Sequence, residues 1–186
     1  MLAHIFTMNK THQDLENELK SILQSGPLAS ITLHQVNDNF FELDDDGFWV
    51  IEGIEFTFQK GIVSAAYSTK LESYVIESKP LTEIYEYDNG YILENENISK
   101  LTRYLGLNII DVRFESLEFE FVVDYTMQTA TEKRLVQMIL EFQNTSIIQI
   151  AFVTYSLIED RAPSNFSYDL QSELLVSTKN IIEIAK

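Results

Sequence analysis

The chain has no cysteine and only three histidines, six glycines and three prolines in 186 residues. Without cysteine there are no disulfides, thiolate zinc sites, iron–sulfur ligands or cysteine nucleophiles. His4, His12 and His34 have no partner at a metal-binding spacing, so zinc catalysis lacks a ligand set. The scattered glycines form neither a phosphate-binding loop nor a dinucleotide fingerprint, and no Gly-x-Ser-x-Gly turn presents a serine. We therefore expect no metal, no cofactor and no enzymatic activity.

Long apolar runs are also missing. A membrane helix needs roughly 18 consecutive apolar residues, and the longest candidate run, 147–158, is interrupted by Gln149, Thr154 and Ser156. Residues 1–10 lack the basic and apolar regions of a secretory signal. These features predict a cytoplasmic protein that does not insert into a membrane.

The composition favours one globular, β-rich domain. Apolar residues make up 45% of the chain and aromatic residues 12%, with 12 Phe and 9 Tyr. That content is enough to build a buried core, and Phe, Tyr, Ile and Val favour strands. A length of 186 residues is within the usual range of a single domain. We predict an α+β fold over residues 1–186.

Positive charge is scarce. The chain has 13 Lys and Arg against 29 Asp and Glu, which gives a formal net charge of −16. Such a surface repels nucleic acid and accelerates encounter with basic proteins. Aromatic residues alternate with acids, as in Tyr85-Glu86-Tyr87-Asp88, whereas RNA-binding sheets interleave them with Lys and Arg. The charge favours a basic protein partner and disfavours nucleic acid, although acidity that serves solubility alone is an equal alternative.

Local patterns predict a helix followed by a β-meander in each half. Thr11 and Asp14 form a capping box, and the helix that they begin ends at Ser25-Gly26-Pro27. A second helix, 97–105, ends at Gly106. Short apolar or alternating runs then predict antiparallel strands in the first half, at 31–36, 40–43, 48–51, 54–59, 62–67 and 71–76.

The order of elements suggests a tandem repeat with halves 1–95 and 96–186. Ile31-Thr32-Leu33 aligns with Ile109-Ile110-Asp111 at an offset of 78, and 56–59 aligns with 140–143 at an offset of 84. Each aligned segment has the same place in its half. Meanders resemble one another in composition, so chance similarity is the alternative.

In the second half, apolar and acidic residues alternate clearly along one predicted strand, 117–121. Leu117, Phe119 and Phe121 share one face of a predicted strand and the intervening glutamates the other. Residues 129–133 are polar enough to predict a loop, and a hairpin is expected from 135–142 and 146–158. Further strands are predicted at 166–176 and 181–185.

Acidic clusters are the only candidates for chemistry. Asp44-Asp45-Asp46-Gly47 fails the calcium-loop test, because the position that needs a bidentate glutamate is Gly53. We interpret it as a solvated hairpin turn. Paired carboxylates leave a glycosidase-like hydrolase open, but the 29 acids do not single out a pair.

The leading hypothesis is a non-catalytic acidic protein that neutralises a basic protein partner, most concretely a bacterial toxin immunity protein or antitoxin. The alternatives are a small-molecule-binding or regulatory module and, third, a carboxylate-based hydrolase. The predicted contact residues lie in two acidic, aromatic segments: Asp44, Asp45, Asp46, Trp49, Tyr85, Glu86, Tyr87 and Asp88.

Overall fold

A computed structural model describes residues 11–35, 41–42, 48–85, 91–92, 99–122, 129–156 and 164–182. The fold is α+β and rich in antiparallel strands. Its helices are α1 His12–Leu23, α2 Leu81–Tyr85 and α3 Ser99–Thr102. Its strands are β1 Ser30–Gln35, β2 Phe41–Glu42, β3 Phe48–Ile51, β4 Gly53–Phe58, β5 Gly61–Ser68, β6 Ser73–Glu77, β7 Tyr91–Ile92, β8 Ile109–Val122, β9 Thr129–Phe142, β10 Ile147–Ser156, β11 Ser164–Tyr168 and β12 Glu173–Ser177.

The strands form two antiparallel sheets. The first sheet has the order β6-β5-β4-β1-β7. The second has the order β2-β3-β12-β10-β9-β8, with β11 paired to β10. Each sheet therefore contains a four-stranded meander in chain order: β1, β4, β5 and β6 in the first sheet, and β8, β9, β10 and β12 in the second.

A helix precedes each meander and ends in a loop that packs on the second hairpin of that meander. After α1, Ser25 accepts a hydrogen bond from the Lys60 backbone at the β4–β5 turn, 3.1 Å. After α3, the Tyr104 hydroxyl donates to the Ile147 carbonyl beside the β9–β10 turn, 2.8 Å. The two halves thus share connectivity and loop placement. That 1–95 and 96–186 are separate repeat units stays a prediction.

The two helix-to-strand loops also bond to each other. The Leu28 N–H donates to the Leu107 carbonyl, and the Gly106 N–H donates to the Leu28 carbonyl, both at 2.9 Å. Leu28 and Gly106 are related by the offset of 78 seen in the sequence. These two bonds join the loop after α1 to the loop after α3.

Both sheets contribute to one apolar cluster. Leu19 and Leu23 of α1 lie in it with zero exposure, as do Phe56 from the first sheet and Phe152 from the second. Tyr104 is fully buried against Phe142, with ring centroids 4.8 Å apart. The apolar faces predicted for α1 and for both meanders therefore meet in a common core.

Several predicted elements are confirmed. The capping box of α1 is present, with the Thr11 side chain and the Asp14 backbone paired and the Asp14 side chain bound to the Thr11 backbone. Strands β1, β4 and β5 lie within a residue or so of their predicted bounds. Glu118 and Glu120 are exposed on β8.

Several predictions of local structure are wrong, among them the strand predicted at 181–185, whose two described residues, Ile181 and Ile182, are not in a strand. Residues 129–133 belong to β9, because pairing with β8 at Lys133↔Glu118 and Thr131↔Glu120 lets their polar side chains face solvent. β2 and β3 leave the first meander and pair in the second sheet. α2 was missed. The strand predicted at 166–176 is interrupted where the Asp169 side chain accepts from the Gln171 backbone, 2.8 Å.

Gly106 has a φ of +79°, and a Cβ built there meets nothing within 4 Å. Gly106→Ala should therefore lower the free energy of unfolding through backbone strain, by about 1–2 kcal/mol. Gly106→Asn should cost less, because Asn tolerates the left-handed region. Urea unfolding of both variants measures this. Equal losses for Ala and Asn would contradict the backbone explanation.

Candidate functional site

A groove of about 590 Å³ lies between the two sheets. One wall is the edge strand β6 and the residues after it, 74–79. The other wall is the first part of β9, 131–135. The β9–β10 pairing covers only 137–141 of β9, so the walls are two strand edges rather than two sheet faces. We call this site the β6–β9 groove.

Helix α1 lines the groove with Thr11, His12 and Leu15. His12 Nε2 lies 2.7 Å from the Ser116 hydroxyl of β8 and 2.9 Å from a Glu16 carboxylate oxygen. At the other sheet, the Ser78 hydroxyl donates to Glu18, 2.7 Å. Helix α1 is thereby bonded to β8 of the second sheet and to Ser78, which follows β6 of the first.

The groove carries more basic than acidic side chains, in contrast to the chain as a whole. Arg134 donates to Glu132 at 2.8 Å and to the Ser73 hydroxyl at 2.7 Å, which joins the two walls. Lys79 pairs with Glu77. Lys133 is exposed, and within the described residues no carboxylate forms a salt bridge with it. Lys133 lies across the β8–β9 pair from Glu118, so the acid opposite it belongs to the neighbouring strand rather than to the groove.

A carboxylate pair lies outside this groove, where β3, β4 and β12 meet. Leu174 pairs with Ile51, which makes Glu173 and Glu52 neighbours across the two strands. Partial burial raises the pKa of Glu173, and the charge of Glu52 raises it further. Neither residue lines the groove. Hydrolysis by paired carboxylates requires both groups to contact the substrate.

Buried tyrosines surround that pair. Burial raises the pKa of Tyr74, which lines the groove, and the charges of Glu173 and Glu52 add to the shift. Burial likewise raises the pKa of Tyr85, with Glu52 as the next cause. Both phenols therefore stay neutral and serve as apolar surface with a polar tip.

Two buried polar atoms here have no hydrogen-bond partner among the described residues: His34 Nδ1 and the Tyr85 hydroxyl. The two rings lie 4.5 Å apart. A Cβ built on Gly53 would come within 2.1 Å of the Tyr85 oxygen, so the ring occupies the space that a side chain at 53 would need. Gly53 is thus required for this close approach rather than for a turn.

The structure describes only two of the residues predicted to contact a partner, Trp49 and Tyr85. Asp44–Asp46 and Glu86, Tyr87 and Asp88 lie outside the described residues. Trp49 belongs to β3, opposite Val176 of β12, and only its backbone is described. The predicted contact of Tyr85 with a partner is corrected by its burial. Its side chain is 7% exposed at the end of α2 and packs with Leu81 and Ile84. Its ring was predicted to contact a partner and instead fills the core.

Sequence reasoning missed the β6–β9 groove altogether. Its walls are separated by more than 50 residues along the chain, and the polarity of residues 129–133 predicts a loop rather than a strand. The one signal available was the cluster Lys133-Arg134 in a chain with few bases.

Comparison of the chain with protein-family models, curated proteins and solved structures finds no match in any of the three. Within the described residues, no group of three or more His, Asp or Glu side chains is arranged to hold a metal ion. The described helices include none that is long and apolar enough to cross a membrane.

Gly53→Ala should lower the free energy of unfolding by about 1–3 kcal/mol, because the new Cβ overlaps the Tyr85 hydroxyl. Tyr85→Phe removes that oxygen together with an unpaired buried group, so by itself it should leave stability unchanged or raise it. The double variant should lose less than the sum of the single effects. A double-mutant cycle by urea unfolding measures this, with Tyr155→Phe as a control whose effect adds to that of Gly53→Ala.

A pH-dependent contribution is expected from Glu173. Its pKa is raised in the folded state, so the folded chain keeps this proton at pH values where the unfolded chain has lost it. The free energy of unfolding therefore falls as pH rises from the unfolded pKa, about 4.3, through the folded one. Glu173→Gln should gain stability relative to the parent between pH 4 and pH 7. The exposed Glu120→Gln should not, and an equal gain for both variants would refute the assignment.

Proposed function

We propose that this protein is a non-catalytic binding protein that neutralises a basic protein partner, most concretely a bacterial toxin domain. The observation that carries the proposal is the net charge of −16. Exposed acids on several elements support it, among them Asp14 on α1, Glu83 on α2, and Glu118 and Glu120 on β8.

The physical basis is electrostatic steering. Complementary charge raises association rates by about 10–10³-fold, and salt suppresses this gain. A toxin that acts on nucleic acid needs a positive groove, and an acidic protein covers such a groove by competing with phosphate. An inhibitor needs no catalytic groups for this, only a surface of matching charge and shape.

The proposed contacts are Asp44, Asp45, Asp46, Trp49 and the segment 86–88. Trp is enriched among the residues that contribute most to binding, and the nearby acids provide charge matching to a basic partner. Tyr85 is left out because it is buried.

The test begins with capture of partners from the native lysate at about 50 mM and 500 mM salt, followed by mass spectrometry. Association of any basic protein recovered is then measured by stopped flow. We expect its rate constant to fall at least roughly tenfold between the two salt concentrations. The triple variant Asp44→Asn, Asp45→Asn, Asp46→Asn should slow association at low salt.

A matched control separates contact from overall charge. The exposed acids Glu72, Glu118 and Glu120, changed together to Gln, alter the net charge by the same three units elsewhere on the chain. This variant should slow association less than the Asp44–Asp46 variant. Salt-independent association, or equal effects of the two triple variants, would contradict the proposed contacts.

A small-molecule-binding or regulatory module is the second candidate, and the β6–β9 groove is the observation that favours it. Its volume of about 590 Å³ falls in the range of about 300–1,000 Å³ typical of ligand sites. Its lining mixes apolar side chains such as Leu15 and Leu135 with charged ones. The Glu52–Glu173 pair is the corresponding feature for the third candidate, a carboxylate-based hydrolase.

A further inference from the structure

The fourth strands of the two meanders, β6 and β12, differ in how their outer edges are covered. β12 pairs with β10 on one side and with β3 on the other, where 174–177 lie opposite 48–51 in antiparallel register. β6 pairs with β5 on one side only, and no described strand pairs with its other side. That open side is a wall of the β6–β9 groove.

The difference follows from the length of one connection. Between the first two strands of the first meander, residues 36–52 include β2 and β3, and β3 crosses to the edge of β12. The corresponding connection of the second meander, 123–128, joins two 14-residue strands and is only six residues long. Among the described residues, no strand of the second half pairs with β6 as β3 pairs with β12.

On the outer side of β6, Tyr74 already bonds to the main chain, and Ile76 is the residue whose backbone groups are open to the groove. The Tyr74 N–H donates to the Leu170 carbonyl, 2.7 Å, so Tyr74 directs its backbone groups away from β5. In an antiparallel pair these directions alternate, so Ile76 directs both its N–H and its C=O into the groove. Among the described residues, neither group of Ile76 has a hydrogen-bond partner beyond β5.

The side chains of the groove indicate the character of the occupant. Leu15, Tyr74 and Leu135 supply apolar lining on the inner side, while Lys79 and Lys133 are exposed at the rim. An extended segment presents its side chains alternately to two sides. Apolar residues would face the interior and carboxylates would face the lysines, of which Lys133 has no ion pair in the described part of the chain.

We propose that the β6–β9 groove binds an extended acidic peptide segment of another protein, which adds as a strand to the outer edge of β6. The pairing imitates the one that β3 makes with β12 inside the same molecule. It uses main-chain hydrogen bonds for affinity and alternate side chains for specificity, as in other cases of strand addition. This surface is separate from the acidic contacts proposed above, and either proposal stands if the other fails.

The test uses the full chain and a fluorescein-labelled, end-capped peptide, Thr-Val-Glu-Val-Glu-Val-Thr, with fluorescence anisotropy as the readout. The same peptide with Lys in place of Glu should bind at least roughly fivefold more weakly, since each exposed ion pair contributes up to about 1 kcal/mol. N-methylation of single peptide amides should weaken binding about tenfold at alternate positions, where a main-chain hydrogen bond is lost. No binding of the acidic peptide at millimolar concentration would overturn the proposal, as would N-methyl effects without alternation.

Variants locate the site. Lys133→Glu should weaken binding of the acidic peptide about fivefold, while Lys60→Glu, an exposed lysine at the β4–β5 turn, makes the same charge change and should leave binding unchanged. Equal effects of the two variants would show that overall charge, and not the groove, governs binding.

Hydrogen exchange of the Ile76 backbone amide, monitored by NMR, directly tests whether the outer edge of β6 is open. It should be fast in the free protein and slower when the acidic peptide is bound. Slow exchange in the free protein would overturn the proposal, because it would mean that the chain itself already bonds to Ile76 as it does to Tyr74. Slowing by a small molecule without an extended backbone would favour the small-molecule reading instead.

Discussion

Each meander has an apolar face that packs into a shared core, and a four-stranded sheet cannot bury such a face by itself. The rest of the structure depends on this constraint. The two faces cover each other, and fully buried side chains from both sheets, such as Phe56 and Phe152, occupy the same cluster. At about 1.5–3 kcal/mol for each large apolar side chain removed from water, this shared core outweighs any single hydrogen bond in the molecule. Leu19 and Leu23 extend the core with one face of α1. The opposite face of the second meander is covered by a smaller cluster that includes Ala151, Leu175 and Ile182.

The halves are also joined through two loops. The loops that follow α1 and α3 are in contact, because the Leu28 backbone exchanges hydrogen bonds with Gly106 and Leu107. The positive φ of Gly106 permits its part in this exchange. Tyr104 then closes the core beside it, bonded through its hydroxyl to Ile147. The backbone conformation of the loop at Gly106 and the packing of Tyr104 in the core therefore depend on each other.

Edges and charges are where the two halves differ. β3 covers the edge of β12, and the groove at β6 collects Lys79, Lys133 and Arg134 in an otherwise acidic molecule. Unpaired edges expose main-chain donors and acceptors, and charged side chains along them limit indiscriminate pairing. The lysines at the rim serve in this way against apolar strands, while they favour a strand that carries carboxylates. The same two lysines, Lys79 and Lys133, thus limit unspecific strand pairing and select for an acidic strand.

The sequence by itself determined the elements whose signals are local. The capping box at Thr11, the turn residues and the short apolar or alternating runs of β4 and β5 depend on neighbours within a few positions. For this reason α1 and these strands could be predicted nearly to the residue. Only the tertiary structure decided which strands are partners. Polar residues 129–133 became part of β9 because β8 pairs with them, Tyr85 was buried by packing beside Gly53, and β3 left its own meander for the edge of β12. The β6–β9 groove, too, is a feature that only the tertiary structure decided. Its walls come from residues more than 50 positions apart, and such contacts are set by how two apolar faces cover each other, which no local pattern encodes.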